Sequence, residues 1–204
     1  MTTETPQIYL VTPPEIDAAR FPDTLARLLD AHPVACLRLD LATRDEDVLI
    51  RAADAIRAVT EPRDVAAIVA DHWKIAGRTG LDGVHLGDGA RRVKAARADL
   101  GAEAIVGAFC GASRHDAMTA GEMGADYVSF GPVGGPDLGA GHAPDDLFAW
   151  WSETIEVPVV AEGGLDPDRV GALWRTTDFL SFGEEVWSHD DPVARLGALR
   201  AAMG

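Results

Sequence analysis

The chain has 204 residues, 47% of them hydrophobic and 25% charged, with a formal net charge of −15. That length holds one domain with a large core, expected over residues 1–204, and the composition is that of a soluble globular protein. The negative charge disfavours nucleic acid and anionic membrane as partners, since both need clustered cations.

The N-terminal "MTTETPQIYLVT" has neither a charged leader nor a long apolar core, so no signal peptide is expected. Its "IYLV", from Ile8, is the first of eight short runs rich in Val and Ile that read as strands. "FPDTLARLLDAH" follows, with Leu25, Leu28 and Leu29 at helical spacing. The second strand, "VACLRL" from Val34, contains Cys36 and ends at Arg38 and Asp40, which lie two apart and share one face. They form either an internal ion pair or, through Arg38, a contact to an anionic substrate.

After a helix with Val48, Ala52, Ile56 and Val59 on one side, "VAAIVA" from Val65 leads to Asp71 and His72. Asp71 either caps the next helix or binds a divalent cation, with phosphate or water completing the shell. "GVHL" from Gly83 carries His85, a hydrogen-bonded core residue or a ligand contact. Asp88, three residues on, could orient it or share a cation. The basic stretch Arg91, Arg92, Lys94 and Arg97 has the spacing of a solvated helix face.

"AIVGAF" from Ala104 ends at Cys110, read as a small buried hydrophobe with no cue for nucleophilic activation. Cys36 and Cys110 are far apart, which suits a reducing cytoplasm. "DYVSF" from Asp126 precedes a stretch from Gly131 to Gly141 with Gly134, Gly135 and Gly139 between them, either a lid or a loose connection. "VPVVA" from Val157 ends near Gly163 and Gly164, and "DFLSF" from Asp178 ends at Gly183. No apolar run reaches the ~18 residues of a membrane span.

Eight strand-helix units with near-continuously apolar strands predict a parallel sheet covered on both faces. Eight units predict a closed (β/α)8 barrel with spare helices and loops, because ~250 residues are typical of that fold; an open doubly wound sheet is the alternative. In a barrel the site lies where the strands end. The loops carrying Gly163, Gly164 and Gly183 then offer backbone amides to a phosphate. Glu162, Glu184 and Glu185 flank that cradle; inward they would oppose phosphate, outward they would be harmless.

Over nearly its whole length the chain resembles the thiamine-phosphate synthases and their thiazole-tautomerase relatives. "YLVT" from Tyr9, "LRL" around Arg38, "DGVHLG" from Asp82, "GADYVSFGPV" from Gly124 and "PVVAEGGL" from Pro158 carry the resemblance. It implies a barrel and a transferase that joins an aminopyrimidine diphosphate to a thiazole phosphate, releasing diphosphate with Mg²⁺. It implies substrate contacts at Arg38, His85, Cys110, Gly134, Gly135, Gly163, Gly164 and Gly183, and a metal at Asp71, with Asp88 as a displaced second ligand because Ala90 stands at the family's aspartate. It also exposes departures. Cys36 replaces a glutamine, Asp40 a diphosphate-binding lysine and Ala70 an asparagine; Pro136 to Gly139 replace a Thr-x-Thr-Lys segment, and Pro132 the tautomerase histidine. Three readings follow: a synthase with weakened activity, a non-catalytic barrel that holds a small phosphorylated ligand, or a different enzyme using Asp71, His85, Asp88 and Glu162. An acidic surface suits a monomer or a homodimer alike.

Overall fold

The computed structural model describes residues 5–134 and 141–204. Eight parallel strands close into a (β/α)8 barrel in chain order: β1 Gln7–Val11, β2 Cys36–Leu39, β3 Ala66–Ala70, β4 Gly83–Leu86, β5 Ile105–Phe109, β6 Tyr127–Phe130, β7 Val159–Glu162 and β8 Phe179–Phe182. The last strand pairs with the first, Tyr9 opposite Ser181. The helices are α1 Phe21–Ala31, α2 Glu46–Thr60, α3 Trp73–Thr79, α4 Val93–Leu100, α5 Arg114–Glu122, α6 Asp145–Thr154, α7 Pro167–Leu173, α8 Glu184–Trp187 and α9 Pro192–Ala201. Several are only two turns long or less, which is how eight units fit this chain. The seventh strand begins two residues later than the sequence pattern predicts, just after Pro158, whose missing N–H suits a strand edge.

Side chains alternate across each strand. Leu10, Leu37, Val84, Val106 and Val128 face outward into the layer beneath the helices, whereas Tyr9, Cys36, Ile68, Tyr127 and Val160 pack inside the barrel. Gly107 makes room for Tyr127: a Cβ there would lie 2.0 Å from the tyrosine Cζ.

One device recurs on the amino-terminal face. The aspartate immediately before β4, β6 and β8 accepts a hydrogen bond from a backbone N–H of the preceding strand. The pairs are Asp82 with Ala67 at 2.7 Å, Asp126 with Val106 at 2.7 Å and Asp178 with Val159 at 2.8 Å. These carboxylates satisfy amides at the start of β3, β5 and β7 and pin the strands in register.

Candidate active site at the carboxyl ends of the strands

Arg38 lies on the inward face of β2 and is 7% exposed. Its Nη1 donates to Glu162 Oε2 at 3.1 Å, and its Nε lies 3.2 Å from Asp40 Oδ2 without the alignment of a hydrogen bond. Burial works against its charge, but Glu162, Tyr9 and Asp40 outweigh that and hold it firmly protonated. The ion-pair reading of Arg38 and Asp40 is thus borne out and enlarged by Glu162. That carboxylate points inward.

Below Arg38 runs a chain of phenols. Tyr9 and Tyr127 hydroxyls are 2.9 Å apart, and Tyr127 Oη is 2.8 Å from His85 Nδ1, its ring stacked on the imidazole. Burial, then the nearby Arg38, pushes His85 well below its usual value, so the ring is neutral near pH 7. Burial raises both tyrosines. The arrangement that gives every hydroxyl an acceptor runs from Tyr9 to Tyr127 to His85 Nδ1, leaving the proton on His85 Nε2. Two further inward hydroxyls, Ser129 Oγ and Ser181 Oγ, are buried without a hydrogen-bond partner among the described residues, as is Arg38 Nε. Ser181 is the register partner of Glu162.

Asp71 follows β3 with φ of 58°, a left-handed conformation uncommon outside glycine. It does not cap α3, whose N-cap is His72. Its Oδ1 instead accepts from Gly87 N at 3.0 Å and from Arg92 Nη2 at 2.5 Å. Arg92 Nε donates to Asp88 Oδ2 at 2.7 Å. One guanidinium therefore bridges both predicted metal ligands, its Cζ 5.8 Å from the Trp73 ring centre. The expectation that Arg92 lies on a solvated helix face is corrected. So is that for Arg97, which reaches Asp126 and the carbonyl oxygens of Gly101, Ala102, Ala104 and Gly124.

The loops after β6 and β7 meet backbone to backbone. A Cβ at Gly134 would lie 2.0 Å from the Gly164 carbonyl oxygen, and Gly163 and Gly164 have φ of 83° and 79°. These glycines serve that close approach. The expected cradle has an occupant. Glu185 Oε1 accepts from Gly164 N at 2.7 Å and Leu165 N at 3.3 Å, and its Oε2 accepts from Gly183 N at 2.8 Å. Glu185 is thus a second inward carboxylate beside Glu162, while Glu184 is exposed.

Two expected contacts do not face the opening with a group to offer. Gly134 N donates to the Gly163 carbonyl at 3.0 Å, so the loop contact consumes that amide. Cys110 lies in the outer hydrophobic layer because Gly107 and Phe109 hold the inward parity on β5. Burial, then Asp116, pushes its thiol up to about 12, so it is an inert packing group. Gly135 and Pro136 to Gly139 lie outside the described residues, as does most of the loop weighed as a lid.

With this geometry in place, the comparisons decide the kinship. The family model described as thiamine monophosphate synthase matches residues 8–179. The chain belongs to this family. A thiamine-phosphate synthase of Rhodospirillum centenum is 42% identical over 187 residues, covering 90% of each chain. One of Erythrobacter litoralis is 40% identical over 200 residues, covering 94% of this chain and 93% of the other. The solved thiamine phosphate pyrophosphorylase of Pyrococcus furiosus superposes with a TM-score of 0.83 at 21% identity, covering 97% and 95% of the two chains, and shows the shared fold. Within the thiamine monophosphate synthase fold, the family's Mg²⁺ finds a poor donor set here. Asp71 and Asp88 are already bridged by Arg92, and Ala90 supplies no ligand. No group of three potential metal-binding side chains occurs among the described residues. Asp88 Oδ1 is buried without a partner among the described residues, but one spare oxygen does not make the octahedral oxygen shell that Mg²⁺ demands.

Tyr9, Tyr127, Ser129, Ser181 and Arg92 were not singled out from the sequence as site residues, and Glu185 was named only as a flank of the cradle whose direction was open. Signals existed for some of them. Asp88 and Arg92 have the i,i+4 spacing of a helical ion pair, and Ser129 and Ser181 share the inward parity of Tyr127 and Phe179.

Proposed function

We propose that the protein works in thiamine biosynthesis as a thiamine-phosphate synthase-type transferase. It joins an aminopyrimidine diphosphate to a thiazole phosphate, with a weakened hold on both phosphate groups. The observation that carries this reading is the polar opening around Arg38. Among the described residues a buried cation there lacks one acceptor, and two buried serine hydroxyls lack any, in a cup that a polar ligand would complete. Neutral His85, anchored by Tyr127, offers its Nε2–H to a ring substituent on the ligand.

The weakening follows from charge. Asp40 stands where the resemblance implies a lysine, and Asp40 and Glu162 both compete with any anion for Arg38. Glu185 competes in the same way for the amides of Gly164 and Gly183. Losing a single electrostatic contact of this kind commonly costs ~10²–10³ in rate, so the expected transferase is slow. The occupied cradle favours a second reading, a barrel that binds a small phosphorylated ligand without turnover.

Thermal unfolding with thiamine phosphate tests the ligand class. Ligand at ~100-fold over its dissociation constant stabilises by ~2.7 kcal/mol. The native protein is expected to shift upward, and Arg38→Met to lose the shift. Absence of any shift in the native protein would reject both readings.

A further inference from the structure

We propose that the amino-terminal end of the barrel interior is a second binding site, which takes a small uncharged aromatic molecule. The site lies at the opposite end of the barrel from the mouth, and its ligand is independent of the transferase reading.

A cavity of about 200 Å³ lies inside the barrel at this end, lined among others by Tyr9, Cys36, Ala66, Tyr127, Val160 and Phe179. Short side chains make the space. Cys36 and Ala66 are register partners on β2 and β3, so two neighbouring strands give the interior only a thiol and a methyl group at this level. Ile105 and Phe179, the first residues of β5 and β8, add apolar wall. Burial pushes the Cys36 thiol up to about 12, so it stays uncharged. Among the described residues no charged side chain lines the cavity.

The roof is the pair Tyr9 and Tyr127, set edge to face with ring centres 5.9 Å apart. This pair divides the barrel interior into two compartments. The tyrosine rings line the cavity, while their hydroxyls bond to each other at 2.9 Å and to His85 at 2.8 Å. Arg38, two residues further along β2 than Cys36, belongs to the polar compartment. The floor is open. Gln7 is exposed and Ala35 half-buried, and both also line a surface groove of about 510 Å³ on the amino-terminal face. A ligand therefore reaches the cavity without passing the mouth.

The lining sets the ligand class. A buried water needs about two to four polar partners, and the two phenol hydroxyls here are already engaged with each other and with His85. Replacing poorly held water by apolar surface is favourable. An apolar cavity of ~150 Å³ is large enough to bind benzene, and this one is larger. The rings of Tyr9, Tyr127 and Phe179 offer a flat guest the edge-on and offset contacts that aromatic pairs prefer, and Cys36 adds a small apolar contact. A charged guest would give up its hydration with no counter-ion to meet it.

Calorimetric titration of the intact protein with benzene, indole and benzoate tests this. The native protein is expected to bind benzene and indole saturably and benzoate not at all. Ala66→Leu, whose side chain fills the cavity, is expected to bind benzene at least about tenfold more weakly. Ile105→Phe fills the same space from another wall and is expected to do likewise, so the test stands if one variant fails to fold by circular dichroism. Crystals held under xenon are expected to show the gas between Tyr9, Cys36 and Phe179. Absence of saturable benzene binding, an unchanged affinity in a folded filled variant, benzoate binding as tightly as benzene, or xenon only elsewhere would each overturn the proposal.

Discussion

A buried cation such as Arg38 is tolerable only when paired, because the desolvation of a lone ion costs several kcal/mol even after relaxation. Glu162 and Asp40 meet that demand and in doing so set the terms on which any anionic ligand enters. His85 meets the opposite demand, burial without charge. The sign of its pH effect follows. Its value in the folded protein lies below the usual 6.5, so as pH falls through that value the unfolded chain takes up a proton before the native one. The contribution is whole above about 6.5 and is progressively lost below it, with a slope approaching 1.4 kcal/mol per pH unit. Urea midpoints measured from about pH 8 to about pH 5 should show that loss, and His85→Gln should flatten it. An equal slope in the variant would show that His85 is not buried neutral. At this scale the sequence was legible where parity decided the face, as for the inward Arg38 and His85; neither of the roles read for Asp71, helix cap or metal ligand, foresaw its bond to Arg92. At Cys110 the residue-level reading of a small buried hydrophobe matches the structure, whereas the contact implied by the resemblance does not, because a one-residue offset at the end of a strand turns a side chain from one face of the sheet to the other. The sequence offered no view of which glutamate turns inward, since Glu184 and Glu185 differ only in their place on a short helix.

At the scale of elements, the eight apolar runs located every strand, because each is buried on both faces and tolerates few polar side chains. Strand ends were less legible, as at Pro158. The aspartates before β4, β6 and β8 show what a periodicity reading passes over: a repeated "LDG", "ADY" and "TDF" pattern with a hydrogen-bonding task rather than a burial one. Hydrogen bonds to charged groups contribute ~1.5–3 kcal/mol, with partial exposure of these carboxylates favouring the lower end. Asp82→Ala and Asp178→Ala should each cost about 1.5 kcal/mol in chemical denaturation. Because they act on separate strand pairs, the double variant should cost the sum to within about 0.5 kcal/mol. A strongly non-additive result would mean that the clamps act through the whole barrel. Conservative replacement by Asn should recover part of the loss, since an amide oxygen still accepts from the strand N–H.

At the scale of the whole molecule, the same (β/α)8 frame carries a mouth whose cations and amides are each engaged from within by carboxylates, which outnumber the cations. Arg38 is held by two carboxylates, Asp71 and Asp88 by one guanidinium, and the amides of Gly164, Leu165 and Gly183 by Glu185. The losses were readable in the sequence as missing lysines and a missing metal aspartate. The replacements were not, because Arg92 and Glu185 reach their partners through the fold and not through any motif. If the chain is the transferase proposed above, it is expected to turn over slowly and to gain little from added metal. The most direct test is thiamine phosphate formation from aminopyrimidine diphosphate and thiazole phosphate, followed over long incubation in EDTA and again with excess Mg²⁺. The account predicts slow formation at the same rate under both conditions, abolished by Arg38→Met. Formation that appears only with Mg²⁺, or no product at all, would contradict it.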